Sequence, residues 1–371
     1  MKLTAAELLQ VRMPLVAPFE TSFGVQNERD LLLVRVELDG QSGWGECVTL
    51  PDPVYSPEFN EAAAVTIRQF LLPSLAAADT LTAARVGTIL AKFKGHRMAK
   101  AALELAVLDA ELRVAGMSMA AYLGAVRDRV PSGVSVGIQP SIPALLDTVQ
   151  GYLDAGYLRV KLKIKPGWDI EPVRAVRERF GDILLQVDAN TAYTLADARH
   201  LARLDEFGLL LIEQPLEDED LTQHADLARS LATPVCLDES ITSAKVAADA
   251  IRLGATSVVN IKAGRVGGYL EARRVHDVCA ANGVPVWCGG MLETGIGRAA
   301  NMALAALPGF ALPGDTSASD RFYTHDIITD PFVLDDGHIA VPAGPGLGVE
   351  VDAEALAAVT VSREMVLSHQ V

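Results

Sequence analysis

"RVKLKIKPGW", residues 159–168, alternates apolar and cationic side chains without a break as far as Lys165. Leu158, Val160, Leu162 and Ile164 take one set of positions, and Arg159, Lys161, Lys163 and Lys165 take the other. A period of two predicts a β-strand with two unlike faces. Cations lined up on one face repel one another. Either the strand lies at a sheet edge, where lysines guard against aggregation, or negative partners await it.

The neighbouring sequence decides what kind of sheet holds this strand. Short β-branched runs recur at 134–138 (VSVGI), 159–164 (RVKLKI), 183–189 (ILLQVDA), 209–214 (LLLIEQ) and 234–239 (PVCLDE). They continue at 257–262 (SVVNIK), 285–290 (PVWCGG) and 310–315 (FALPGD). Helical patterns lie between them, such as DIEPVRAVRERF (169–180) and LEARRVHDVCAANG (270–283), the latter ending at a glycine. Strict alternation predicts a parallel sheet, and eight repeats predict an α/β chain closed as a (β/α)8 TIM-type barrel. A doubly wound open sheet is the rival, but no GxGxxG follows a strand. Residues 1–130 read differently, with strand-like LLLVRVEL (31–38) and GWGE (43–46), then a largely helical pattern over 59–115. They form a separate α+β domain, with the barrel over 131–325 and a tail of short strands over 326–371. APFETSFGVQ (17–26) reads as a lid or as a surface turn. The glycines of GPGLG (344–348) read as a turn, since no helix clearly follows them.

In a closed barrel, Val160, Leu162 and Ile164 face the helices, while Lys161 and Lys163 point inward near the C-terminal end of their strand. The last inward charged residues of successive strands are Lys163, Asp188, Glu213, Asp238 and Lys262, spaced by 25, 25, 25 and 24 residues. Active sites of this fold sit at that end. A lone carboxylate after a strand is ordinarily a helix cap or a salt-bridge partner, but those readings do not supply a common register. Five ionisable groups at one depth are costly unless they serve one another. Carboxylates from three adjacent strands, with no His or Cys among them, suit a hard cation: Mg²⁺, with Mn²⁺ also compatible. Lys163 and Lys262 lie on opposite strands and face each other across the mouth. A substrate carboxylate at the metal would set its α-carbon between two amines, one to remove a proton and one to return it. The base must be neutral, whereas an ordinary lysine has a pKa of about 10.4. Lys161, Arg265 and the cation are expected to lower it.

With these motifs in place the chain resembles the enolase superfamily, in the muconate-lactonising branch that carries a lysine on each side of the site. KLKIKPGWD, VDANTAYT, IEQPL, CLDES, NIKAGRVGG and WCGGMLETGIGRAAN occur in that order. ETSFG (20–24), KFKGHRMAKAALELAVLDAE (92–111) and GDTSASDRFY (314–323) extend the likeness over nearly the whole chain. It is most similar to the o-succinylbenzoate synthases that also act as N-succinylamino acid (N-acylamino acid) racemases. The resemblance implies Asp188, Glu213 and Asp238 as metal ligands, Lys163 and Lys262 as the acid/base pair, and Lys161 as an auxiliary lysine. It implies an N-terminal domain that caps the barrel, completed by the C-terminal segment. Its loops would shape a pocket for a small-molecule carboxylate from Phe19, Phe23 and Tyr55, with Ser135, Gly290, Met291 and Leu292 from the barrel. It also implies a homo-oligomer. Ala263 stands after Lys262 where the family carries proline, a departure that removes no functional group.

Other readings are weaker. GVSVG (133–137) fits the hydrolase GxSxG pattern, yet Ser135 lies inside a strand pattern rather than on a sharp turn. His96 falls in the helical region, and Trp287 and Cys288 read as barrel packing. With 32 basic against 47 acidic residues and a net charge of −15, neither nucleic acid nor an anionic membrane is an expected partner. Four scattered cysteines and no apolar leader read as a cytoplasmic protein. Within one site, racemisation of N-succinylamino acids competes with syn dehydration toward o-succinylbenzoate, a menaquinone precursor. Dipeptide epimerisation and muconate cycloisomerisation are alternatives. A catalytically silent scaffold would require one of the five charged positions to be lost, and all are present.

Overall fold

The computed structural model describes residues 1–368. Its first sheet is antiparallel: β1 (Leu3–Thr21), β2 (Gly24–Leu38) and β3 (Gln41–Cys47) follow in order. Asp39 and Gly40, both at positive φ (48° and 81°), form the two-residue turn that a right-twisted hairpin prefers. The helix Arg97–Ala115 lies across β3. Gly43 and Gly45 of the GWGE stretch allow that approach, because a Cβ at either would strike backbone of the helix at Ala106 or Ala102. The charge in this stretch, Glu46, is thereby carried to the far side of the sheet's end, where it meets the second domain.

β4 (Arg129–Pro131) leads into seven parallel strands: β5 (Gly133–Val136), β6 (Arg159–Lys163), β7 (Leu184–Asp188), β8 (Ile212–Glu213), β9 (Val235–Leu237), β10 (Val258–Ile261) and β11 (Val286–Cys288). Neighbours in sequence are neighbours in the sheet. Four of the connecting helices open on a capping side chain, Ser141, Asp169, Asp220 or Ser243, which accepts from a backbone N–H group of the first turn. β6 is central, bonded to β5 and β7, so its cations are not edge gatekeepers. Val160, Leu162 and Ile164 join the buried apolar core between sheet and helices.

The eighth expected strand differs. Residues 310–315 are extended but form no ladder; instead, single contacts tie them to both sides. Phe310 bridges to Val286 and Gly314 to Ser132, with the Gly133 amide donating to the Gly314 carbonyl at 2.7 Å and the Asp315 amide to Cys288 at 2.8 Å. Pro313 has no N–H to give, which interrupts a regular ladder. The ring still closes.

β12 (His338–Ala340) pairs with β4, and β13 (Thr360–Ser368) returns to pair antiparallel with β1. GPGLG is a turn, with Gly346 and Gly348 at positive φ. No helix among the described residues is long and apolar enough to cross a membrane.

Two carboxylates from the first domain cap helices of the second. Glu46 accepts from the amides of Thr294 (3.1 Å) and Gly297 (3.0 Å) at the start of the helix Gly295–Ala305. Glu104 accepts from the Leu270 amide (3.0 Å) at the start of Tyr269–Ala281. A negative group at a helix N-terminus is favourable, but burial pushes both carboxyls up to about 7 from an ordinary 4.5. Between those values the folded protein holds protons that the unfolded chain has released. Their contribution is therefore full below about pH 4.5 and is lost as pH rises through about 7. Thermal melts should show the midpoint declining from pH 5 to pH 8, with Glu104→Gln flattening part of the decline. A midpoint constant across that range would contradict the assignment.

Candidate active site

Lys163, Asp188 and Glu213 are the last residues of β6, β7 and β8 and stand opposite one another in register. Asp238 and Lys262 immediately follow β9 and β10. All five side chains are buried. The even spacing seen in the sequence thus becomes an arc of three carboxylates, with a lysine at either flank.

The ion pairs are specific. Lys163 donates to Asp188 (2.5 Å) and to the Asn190 side chain (2.6 Å). Lys161, one strand pleat deeper, donates to Glu213 (3.1 Å) and Asp315 (2.6 Å) and lies 3.4 Å from Asp188. Lys262 donates to Asp238 (2.8 Å), whose other oxygen meets Arg265. Arg159 donates to Asp315 (2.9 Å), and Lys165, outside the barrel, pairs with Glu20. Every cation of the 159–165 stretch has an acidic partner. Beneath them, the buried Trp287 ring lies 4.7 Å from the Lys161 ammonium and 5.2 Å from the Arg159 guanidinium. It packs the barrel as expected, and its π face also meets two charges.

These charges set the protonation states. Burial would raise the Asp188 carboxyl, but Lys163 and Lys161 more than offset it and hold the pKa at about 2. Asp315 is likewise held far below the ordinary range by Lys161 and Arg159, against its burial. Glu213 moves up, through burial and then the charge of Asp188. Glu239, beside Asp238, is pushed up to about 7 by the same two causes. Burial pulls Lys262 down, yet Tyr55, Glu239, Glu213 and Asp188 overcome it, and the net direction is upward. The expectation that neighbouring cations lower this lysine is therefore reversed in the protein alone: the carboxylates outweigh Arg265.

Among the described residues no three His, Cys, Asp or Glu side chains converge as a metal cluster, because the carboxylates turn toward lysine and arginine. The donor set nevertheless fits a hard divalent ion. It is all oxygen, it comes from adjacent strands, and Glu239 beside it keeps a buried oxygen with no hydrogen-bond partner.

Above the arc lies one cavity. Lys161, Lys163 and Lys262 open onto it, as do Phe19, Phe23 and Tyr55 from the first domain and Ser135, Gly290, Met291 and Leu292 from the barrel. The 17–26 stretch is the β1–β2 hairpin tip, docked over the mouth rather than projecting into solvent. The Ile138 amide donates to the Glu20 carbonyl (2.9 Å), and the Ser22 hydroxyl donates to the Asn190 carbonyl (3.0 Å). Tyr55 reaches in as well, its hydroxyl 3.3 Å from Lys262, Arg265 and Asp238. His96 stays in the first domain, against Thr66. Ser135 lies within β5, paired with Lys161, and not on a nucleophile turn.

Sequence reasoning overlooked Asp315, Asn190 and Glu239. Asp315 ends the eighth run, so the same register carried two runs further would have found it. Asn190 and Glu239 lie beyond their strands and carry no periodic signal. Asn190 and Thr191 both adopt positive φ (42° and 64°), a strained pair for non-glycine residues, held by the Thr191 amide donating to Gln214 (2.9 Å) and by Ser22.

Comparison with known proteins is extensive. Residues 144–355 match the family model "Enolase C-terminal domain-like", and residues 4–124 match "Mandelate racemase / muconate lactonizing enzyme, N-terminal domain". The N-succinylamino acid racemase of Amycolatopsis sp is 68% identical over 364 residues, covering 98% of this chain and 99% of the relative. The o-succinylbenzoate synthase of Geobacillus kaustophilus is 48% identical over 346 residues, covering 93% and 92%. The crystal structure of a Listeria innocua Clip11262 protein, described as a member of the enolase superfamily, superimposes with a TM-score of 0.95 at 41% identity, covering 99% of each chain.

Asp315→Asn removes the shared partner of Lys161 and Arg159. Arg159 would lose its acidic partner and Lys161 one of its three, which should cost about 3–5 kcal/mol at neutral pH, read by denaturant unfolding. A carboxylate with a depressed pKa stabilises above its unfolded value and stops doing so as acid protonates it. The difference between variant and parent should therefore shrink below the ordinary carboxylate range. Equal stability at pH 7 would show that the Asp315 pairs are not stabilising.

Proposed function

The chain belongs to the enolase superfamily, and from that premise we propose that it removes and returns the proton α to a substrate carboxylate. N-succinylamino acids (N-acylamino acids) are racemised, and the same site serves syn dehydration to o-succinylbenzoate. The observation that carries this reading is the pair of buried lysines on opposite flanks of one carboxylate arc, both open to one cavity.

In this reading Asp188, Glu213 and Asp238 hold a divalent cation, with Mg²⁺ favoured by the all-oxygen set. Such an ion supplies positive charge facing the substrate carboxylate and relieves the acidic field that now raises Lys262. The chain's own groups do the rest. The α-carbon sits between Lys163 and Lys262; one amine takes the proton from one face as the enediolate develops, and the other ammonium returns a proton to the opposite face. Lys161, fixed by Asp315 and Glu213, keeps a cation beneath the site. Phe19, Phe23, Tyr55, Met291 and Leu292 wall the cavity and limit water, which strengthens each charge interaction inside. Dehydration asks less: one lysine abstracts the proton and, as an ammonium, gives it to the hydroxyl departing from the same face, which leaves as water, while the other lysine stays cationic beside the developing charge. Dipeptide epimerisation and muconate cycloisomerisation would use the same lysines, but the high-identity relatives favour the first two reactions.

The test follows α-proton loss from N-succinyl-L- and N-succinyl-D-amino acids in D₂O by NMR. Both enantiomers should exchange and interconvert, and excess chelator should stop this. Lys163→Ala and Lys262→Ala should each abolish racemisation by at least about a thousandfold, each retaining exchange with only one, opposite, enantiomer. Symmetric loss of exchange for both enantiomers in both variants would argue against a two-base racemase. No exchange by the metal-loaded parent would remove racemisation altogether.

A further inference from the structure

Glu213, the middle carboxylate of the arc, is held from two strands. Lys161 on β6 donates to its Oε2 (3.1 Å), and the Asn260 carboxamide on β10 donates from Nδ2 to its Oε1 (2.7 Å). Asn260 stands one strand pleat deeper than Lys262 and is fully buried. Strand β10 does not depend on this side chain: it is bonded to β9 and β11, and the Asn260 carbonyl accepts from Arg265 (2.7 Å). Among the described residues the carboxamide makes one hydrogen bond, the one to Glu213, and its Oδ1 is buried with no partner. Gln214 is the contrast. Its carboxamide accepts from the amides of Asp238 (3.0 Å) and Ser240 (3.2 Å) and donates to the Leu216 carbonyl (3.2 Å) and the Ser240 hydroxyl (2.8 Å). Gln214 ties two loops together; Asn260 ties a carboxylate. A buried carbonyl left without a partner is costly, so fold stability does not account for an amide at this position.

Gly289, directly after β11, seats the amide. Its N–H donates to the Ile261 carbonyl (3.1 Å), which lays its backbone against the Asn260 side chain, and a Cβ there would strike both Oδ1 and Nδ2. The amide is thereby barred from swinging away on that side. Turning it over would set Oδ1 against the Glu213 Oε1, two acceptors face to face. An ionised carboxylate offers about four lone-pair directions. Lys161 and Asn260, both deeper in the barrel, take one on each oxygen and leave one on each for the arc. The amide is neutral, so it orients Glu213 without cancelling its charge.

We propose that Asn260, seated by Gly289, is the positioning residue for Glu213 and holds the middle carboxylate in the orientation that binds a divalent cation. This rests on the reading of Asp188, Glu213 and Asp238 as the ligands of that ion, and it adds a residue on which the affinity for the ion depends without touching it.

Calorimetric titration of the metal-free protein with Mg²⁺ reads this without turnover. Asn260→Ala should bind the ion about ten- to a hundredfold more weakly than the parent, the usual loss when the hydrogen-bond partner of a ligand is removed. Gly289→Ala keeps every hydrogen-bonding group and presses on the amide alone, and it should weaken binding in the same direction. Because both substitutions act through one contact, the double variant should bind no more weakly than Asn260→Ala. If Asn260→Ala does not fold, Gly289→Ala decides the matter by itself. Parent-like affinity in either single variant, or losses that add in the double variant, would overturn the proposal while leaving the ion site in place. A parent that binds no ion would remove the reading of the three carboxylates, and the proposal with it.

Discussion

Lys161 is fixed at once by Glu213 and Asp315, lies near Asp188, and rests on the face of Trp287. Charges this deep cannot be placed one at a time, since an unpaired one costs several kcal/mol. The mouth of the barrel therefore has to be read as a set. Arg159, Lys161, Lys163, Lys262 and Arg265 are opposed by Asp188, Glu213, Asp238, Glu239 and Asp315, five against five with Glu239 ionised. A divalent cation would add two positive charges. A bound substrate carboxylate and a lysine that has given up its proton would restore the balance. In the proposed mechanism the catalytic state would be the electrically closed one, and the protein alone closes the balance by keeping its lysines protonated.

The first domain is joined to this set in two ways. Glu46 and Glu104 cap helices of the barrel, which fixes how the two domains sit. The hairpin tip and Tyr55 then reach the mouth itself, Ser22 onto Asn190 and Tyr55 among Lys262, Arg265 and Asp238. Asn190 in turn accepts from Lys163. Docking of the tip and placement of that lysine share one strained turn, so the cavity and the lysine that opens onto it are built together.

Much of this was legible from spacing. Alternation in 159–165 gave a strand, and recurrence of charge at the interval of the repeat gave the barrel and the five-member ring, because period and register survive without knowledge of tertiary contacts. Three kinds of information did not survive. Residues 310–315 read as a strand, yet Pro313 prevents a ladder, and only neighbours on both sides hold the segment in place. The direction of the Lys262 shift depends on summing charges that lie far apart in sequence, and the nearest sequence neighbour, Arg265, pointed the wrong way. Asn190 and Glu239 matter because of what they touch, or fail to touch, after the loops fold, and no periodic pattern marks them.

The central claim is that the three carboxylates are a divalent-cation site whose charge completes the set around the lysines. The most direct measurement is a calorimetric titration of the metal-free protein with Mg²⁺ or Mn²⁺, alongside Glu213→Gln. One ion per chain, lost in the variant while its fold is retained, is the expected result. No binding by the parent, or binding indifferent to Glu213, would contradict the account.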